Sequence, residues 1–186
     1  MGGDGREAPF FFSKPGDAVV ESGSEIPFPR DTEDLHHEVE LVCAIGKEGA
    51  DIAVDRALDH VFGYAVGIDL TRRDLQAEAK ARGRPWDMAK GFDNSAPISE
   101  ILPGNGPKDS GRIWLSVDGI VRQEADLSDM TWSPAEVISA LSRTITLKAG
   151  DLIFTGTPEG VGPVRRGQVV EGGVDGVGTI SVTAGR

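Results

Sequence analysis

The sequence predicts a β-dominated α+β fold, because apolar residues come in many short runs and only two stretches carry full helix start and stop signals. The 25 glycines and 11 prolines break the chain too often for a helical bundle. At 186 residues, with 39% hydrophobic and 26% charged, one domain can bury a core without disulfides or structural zinc.

Residues 1–9 are polar and glycine-rich, after which Phe10, Phe11 and Phe12 run into Lys14 and Pro15, read as a short strand ending in a turn. Residues 21–34, with Pro27 and Pro29, read as an irregular connection. Residues 38–45 form a strand, 54–60 a short helix and 62–68 a second strand. The clearest helix starts near Thr71, whose hydroxyl with Asp74 three residues on predicts a capping box, and it stops before Gly83 and Pro85. Asp118-Gly119 between residues 113–117 and 120–123 is a two-residue hairpin turn. Ser133 as N-cap and Pro134 at the first helical position open a second helix through Leu141. The rest is turn-rich, with strands near Ile145 and over 152–155, 168–171 and 179–182, giving two helices among eight or more strands.

A net charge of −11 argues against nucleic acid and anionic membranes as partners, since both need a cationic surface. An anionic substrate must therefore meet local positive charge or a metal. The single Cys43 lies in an apolar run and reads as a small buried hydrophobe. No apolar run approaches the roughly 18 residues that span a bilayer, and no signal pattern opens the chain, so a soluble, cytoplasmic protein is expected.

The period of two in residues 36–41 places Glu38 and Glu40 on one strand face and Val39 with Leu41 on the other. A solvated face carries such a pair well enough. Asp69 changes the balance, because it stands where an apolar strand hands over to a helix, a favoured place for catalytic groups. Three carboxylates are hard ligands suited to Mg²⁺, Mn²⁺ or Ca²⁺, and a dication between them removes their repulsion. His36 and His37 point to opposite faces and make no ligand pair, so they read as structural or as supports for the ligands.

Arg73 and Gln76 follow Asp69 by four and seven residues, a spacing that projects both from its face. Arg grips a carboxylate in a fork and Gln donates to an oxo group, yet a solvated helix rich in Arg72, Asp74, Glu78 and Lys80 would look the same. Lys90, in a semi-apolar stretch with Trp86 and Met88, suits a proton donor or enolate partner. Residues 155–162 (TGTPEGVG) form a glycine-rich loop able to offer hydroxyls and N–H groups to an anion, or else a plain tight turn. No P-loop, Gly-x-Ser-x-Gly elbow or dinucleotide fingerprint is present in the sequence.

Five segments in order, residues 10–15 (FFFSKP), 35–41 (LHHEVEL), 63–76 (GYAVGIDLTRRDLQ), 83–90 (GRPWDMAK) and 150–162 (GDLIFTGTPEGVG), resemble the catalytic domain of the fumarylacetoacetate hydrolase superfamily. Residues 69–87 and 111–130 are most similar to its bacterial fumarylpyruvate hydrolases of gentisate-type aromatic degradation. The resemblance implies a mixed β-sandwich roll, a homodimer, and one divalent cation, Mg²⁺ before Mn²⁺ or Ca²⁺, on Glu38, Glu40 and Asp69. It implies Arg73, Gln76 and Thr157 as substrate-binding residues and Lys90 as the catalytic one. The implied reaction is metal-dependent hydrolysis of a carbon–carbon bond in an acylpyruvate, 3-fumarylpyruvate giving fumarate and pyruvate. Oxaloacetate decarboxylation, 2-oxo-acid isomerisation or hydration, and noncatalytic dicarboxylate binding are the alternatives. Relatives carry a water-activating His-x-x-Glu pair on a lid just before the phenylalanine run, and residues 1–13 hold none. The expectation is a single catalytic domain over 1–186 lacking that lid segment, which binds substrate and hydrolyses slowly.

Overall fold

The computed structural model describes residues 7–104 and 110–186, so the polar start over 1–6 lies outside the described residues. The chain runs β1 (Val19–Glu21), β2 (Glu25–Ile26), β3 (Leu35–His37), β4 (Val39–Ile45), β5 (Val61–Ile68), β6 (Thr71–Arg72), α1 (Arg73–Ala81) and α2 (Asp87–Lys90). It continues through β7 (Ala96–Ile98), β8 (Leu102–Pro103), β9 (Arg112–Val117), β10 (Ile120–Asp126), α3 (Pro134–Ser142), β11 (Leu152–Phe154), β12 (Gly162–Val164), β13 (Val169–Val174) and β14 (Gly178–Ala184). The segment Val54–His60 is a 3₁₀ helix rather than an α-helix.

One sheet is ordered β1-β7-β5-β4-β11 with β8 on β5, a second β10-β9-β13-β14-β2, and a small third β12-β3-β6. Among the described strands, pairing is antiparallel except for β1 with β7 and β14 with β2, so both large sheets are mixed. Leu41, Cys43 and Val66 from the first sheet share one core with Leu115, Val170, Ile180 and Val182 from the second. This is the β-dominated sandwich roll expected, and β4 runs through its middle with every residue buried. Burial on both faces explains why β4 reads as a nearly unbroken apolar run. Glu40 is the exception within it. Burial also pushes the Cys43 thiol up to about 12, which suits an inert core residue.

The hairpin forms as the sequence requires: Asp118 and Gly119 have φ of 49° and 75°, the left-handed pair that a two-residue turn between twisted strands needs. Ser133 caps α3 reciprocally with Glu136. Three expectations fail. Residues 10–15 form no strand and have no ladder partner; Phe10 packs edge-on against Trp86 instead, with ring centroids 5.0 Å apart. Thr71 does not cap α1, because Thr71 and Arg72 pair with β3 and the helix begins at Arg73; Asp74 instead accepts from Thr32 Oγ1 at 2.7 Å and Glu33 N at 3.1 Å. Ile145 is exposed and lies in no strand; Leu147 makes the only bridge nearby, to Gly49. No helix among the described residues is long and apolar enough to cross a membrane.

Candidate metal centre

The ladder between β4 and β5 assembles the carboxylates. Val39 pairs with Ile68, and one step further the Asp69 N–H donates to the Glu38 carbonyl at 2.8 Å, so Glu38 and Asp69 stand opposite each other at the end of the pair. Directly opposite residues share a sheet face, and Glu40 joins them two positions along β4. Glu40 faces Gly67, where a Cβ would lie 2.4 Å from the Phe154 ring and 2.6 Å from Val42. Glycine at 67 therefore lets Phe154 and Val42 close over the strand beside the acids.

The three residues are 8%, 4% and 2% exposed for Glu38, Glu40 and Asp69, which removes the solvated-face reading of the glutamate pair. One ligand oxygen from each lies within 4.8 Å of the others. Acids held this close and this dry cannot all be charged without compensation. Burial, reinforced by the charges of Asp69 and Glu38, raises Glu40 to about 8. Burial pushes Glu38 up as well, but Lys90 and Arg73 outweigh it and hold that carboxyl below its ordinary range. The donor set fits a hard divalent cation: oxygen-only, triply acidic and buried.

Cations surround the cluster. Lys90, at the end of α2 and only 2% exposed, places Nζ 2.8 Å from Glu38 Oε2 and 2.5 Å from Asp69 Oδ2. Arg73 opens α1 with Nη2 at 2.5 Å from Glu38 Oε1 and Nη1 donating to Gln76 Oε1 at 2.5 Å. Its Nε donates to His36 Nδ1 at 3.3 Å, and His36 Nε2 meets Asp34 Oδ1 at 2.9 Å. Arg73 is thus tied to one of the three clustered acids, with N–H groups left over for a second acceptor. Gln76 accepts through its oxygen, and among the described residues no acceptor meets its amide N–H₂.

The loop that carries Thr157 reaches the cluster through Gly156, whose N–H donates to Glu40 Oε2 at 2.6 Å. A cleft over the cluster is lined by Phe12, Lys14, Glu40, Asp69, Trp86 and Thr157. The structure therefore brings Glu38, Glu40, Asp69, Arg73, Gln76, Lys90 and Thr157 into one neighbourhood. His36 and His37 stay off the acids, as read: His37, with its pKa lowered by burial, has Nδ1 2.9 Å from Gln123 Oε1.

Two participants escape the sequence reading. Lys14 places Nζ 2.8 Å from Asp69 Oδ1 and donates to the carbonyls of Leu70, Ser95 and Lys90. Gln123, 1% exposed, bridges His37 to the Thr157 loop. Lys14 stands within the FFFSKP segment, where a lysine flanked by apolar residues and proline is the one available signal; Gln123 has none.

The family model described as Fumarylacetoacetate (FAA) hydrolase C-terminal matches residues 3–184. Fumarylpyruvate hydrolase of a Ralstonia species is 43% identical over 180 residues, covering 96% of this chain and 94% of that protein. The mitochondrial oxaloacetate decarboxylase of Dictyostelium discoideum is 42% identical over 182 residues, covering 96% of this chain and 84% of that protein. Among solved structures, fumarylpyruvate hydrolase from Pseudomonas aeruginosa in complex with Mn²⁺ and pyruvate is 50% identical, with a TM-score of 0.93 over 97% of this chain and 80% of that one.

Proposed function

Because the chain belongs to the fumarylacetoacetate hydrolase family, we propose that it hydrolyses the carbon–carbon bond of an acylpyruvate, 3-fumarylpyruvate first, with one divalent cation held by Glu38, Glu40 and Asp69. The observation that carries this reading is the convergence of three buried carboxylates with Lys90, Arg73 and Thr157 around them. The Mn²⁺ and pyruvate held by the Pseudomonas aeruginosa relative support a 2-oxo acid as the ligand class. Mg²⁺ is the proposed resident ion, the hard cation such oxygen donors suit.

A bound dication supplies Lewis-acid stabilisation for enolate charge at the 2-oxo-acid end. The chain's own groups do the rest. Lys90 Nζ adds positive charge beside Glu38 and Asp69, where the departing pyruvate enolate forms. Thr157 offers a hydroxyl for the substrate carboxylate, and Gln76 offers its free amide N–H₂. In balance, the oxygen of water ends on the acyl carbon, the electron pair of the broken bond leaves with the enolate, and a proton returns to its carbon. This local positive charge lets a chain of net charge −11 hold a dianion.

Oxaloacetate decarboxylation is the second reading, favoured by the 42% identity to the Dictyostelium discoideum enzyme. Loss of carbon dioxide leaves the same enolate without an attacking water. The test incubates the Mg²⁺- or Mn²⁺-loaded protein with fumarylpyruvate and with oxaloacetate. Equimolar pyruvate and fumarate are expected from the first substrate; pyruvate from oxaloacetate alone would defeat the hydrolase reading.

Glu40 makes the cation's affinity depend on pH. Its carboxyl is raised from 4.5 to about 8, so at neutral pH it holds a proton that a dication must expel. Apparent affinity is then expected to rise with pH, up to about tenfold per unit as one proton is released, and to level off above about 8. The sign for folding is opposite: the folded chain holds a proton the unfolded one has lost, so without cation Glu40's contribution is full below about 4.5 and falls away as pH rises toward 8. Titration calorimetry in buffers of different ionisation enthalpy reads the released proton, and a pH-independent affinity would refute it.

A further inference from the structure

Gln123 sits in β10, 34 residues before Thr157 in sequence, and its side chain makes four contacts that fix which end of the amide points where. Oε1 accepts from the Val39 N–H at 3.1 Å and lies 2.9 Å from His37 Nδ1. Nε2 donates to the Pro158 carbonyl at 2.9 Å and to Thr157 Oγ1 at 2.8 Å. The assignment is forced by two groups of fixed polarity. A backbone N–H only donates and a backbone carbonyl only accepts, so turning the amide over would set donor against donor at Val39 and acceptor against acceptor at Pro158.

The consequence falls on Thr157. Its hydroxyl oxygen is already the acceptor of the Gln123 N–H, and among the described residues no acceptor takes its own proton. A hydroxyl rotates to suit its neighbours, and here the neighbour within the protein leaves its proton for an acceptor in the cleft that Thr157 lines with Glu40 and Asp69. We propose that Gln123 is a positioning residue that sets the Thr157 hydroxyl as a donor to the substrate carboxylate. His37 and the Val39 N–H hold the Gln123 oxygen, so the orientation is carried from β4 through a buried amide to the loop. The inference rests on the reading of this site as one for 2-oxo acids. It adds the residue that gives Thr157 its polarity.

The test measures pyruvate binding by calorimetry to the Mn²⁺-loaded protein. Gln123→Glu puts an acceptor where Nε2 stood, so the Thr157 proton turns inward, and affinity is expected to fall about tenfold, the scale of one hydrogen bond to a charged group. Gln123→Met removes the donor without adding an acceptor and is expected to weaken binding by a smaller factor, about threefold. Thr157→Val loses the donor directly, and in that background Gln123→Met should cost nothing more; Thr157→Ser, which keeps the hydroxyl, should bind as the unaltered protein does. Thermal melts check folding, and if Gln123→Glu does not fold, Gln123→Met carries the same comparison. Binding by the folded Gln123 variants within twofold of the unaltered protein, or an undiminished loss in the Thr157→Val background, would overturn the proposal while leaving the 2-oxo-acid reading intact. Absence of pyruvate binding to the unaltered protein would overturn both.

Discussion

Asp69→Ala is expected to abolish the gain in thermal stability that Mg²⁺ or Mn²⁺ is expected to give the unaltered chain. A ligand bound only by the folded state stabilises it by about 2.7 kcal/mol at a hundred times its dissociation constant. With Asp69 gone, two of the three clustered acids remain, and affinity falls out of the range where millimolar cation registers. The substitution also strips Lys90 and Lys14 of a carboxylate at 2.5 and 2.8 Å, so the variant starts from a lower melting temperature before any metal is added. Asp69→Asn keeps the shape and removes the charge, at the cost of turning one of the two oxygens that face Lys14 and Lys90 into an N–H₂ donor, so it tests the charge without emptying the site. Scanning fluorimetry with and without cation reads both variants. A metal-induced shift that survives in each would sink the assignment of Asp69 as a ligand.

Much of this site was legible because its logic is local. Alternation along one strand is enough to put Glu38 and Glu40 on one face, and the next strand's end supplies Asp69. Burial was not legible: the same alternation suits a solvated face, and only the packing of the second sheet over β4 decides between them. Helix capping failed for a related reason. Thr71 and Asp74 have the right spacing, but β3 claims Thr71, and the loop at Thr32 and Glu33, some 40 residues earlier, claims Asp74. Gln123 was invisible because its partners lie 84 and 86 residues away at Val39 and His37. A polar side chain on a half-exposed hairpin strand carries no mark of the four bonds it will make.

Lys14 is the residue whose loss should cost the fold most among those to which the sequence assigns no part in the site. Its side chain is 10% exposed, and Nζ reaches Asp69 Oδ1 at 2.8 Å, Ser95 O at 3.0 Å and Leu70 O at 3.2 Å, with Lys90 O as a further acceptor. These oxygens belong to the link between β5 and β6, the end of α2 and the loop before β7, so one ammonium ties three pieces of backbone beside Asp69. It also anchors residues 10–15, which have no strand partner of their own. Methionine matches the length and fills the space but donates nothing. Lys14→Met should therefore destabilise the chain by about 3–5 kcal/mol, the range for breaking one partner out of a buried ion pair. Asp69→Asn lowers the charge that Lys14 answers, so the Lys14→Met loss measured in that background should shrink. Urea unfolding of the four proteins in this cycle gives the coupling directly. Equal losses in both backgrounds would mean that Lys14 serves the backbone carbonyls alone and leaves Asp69 to Lys90.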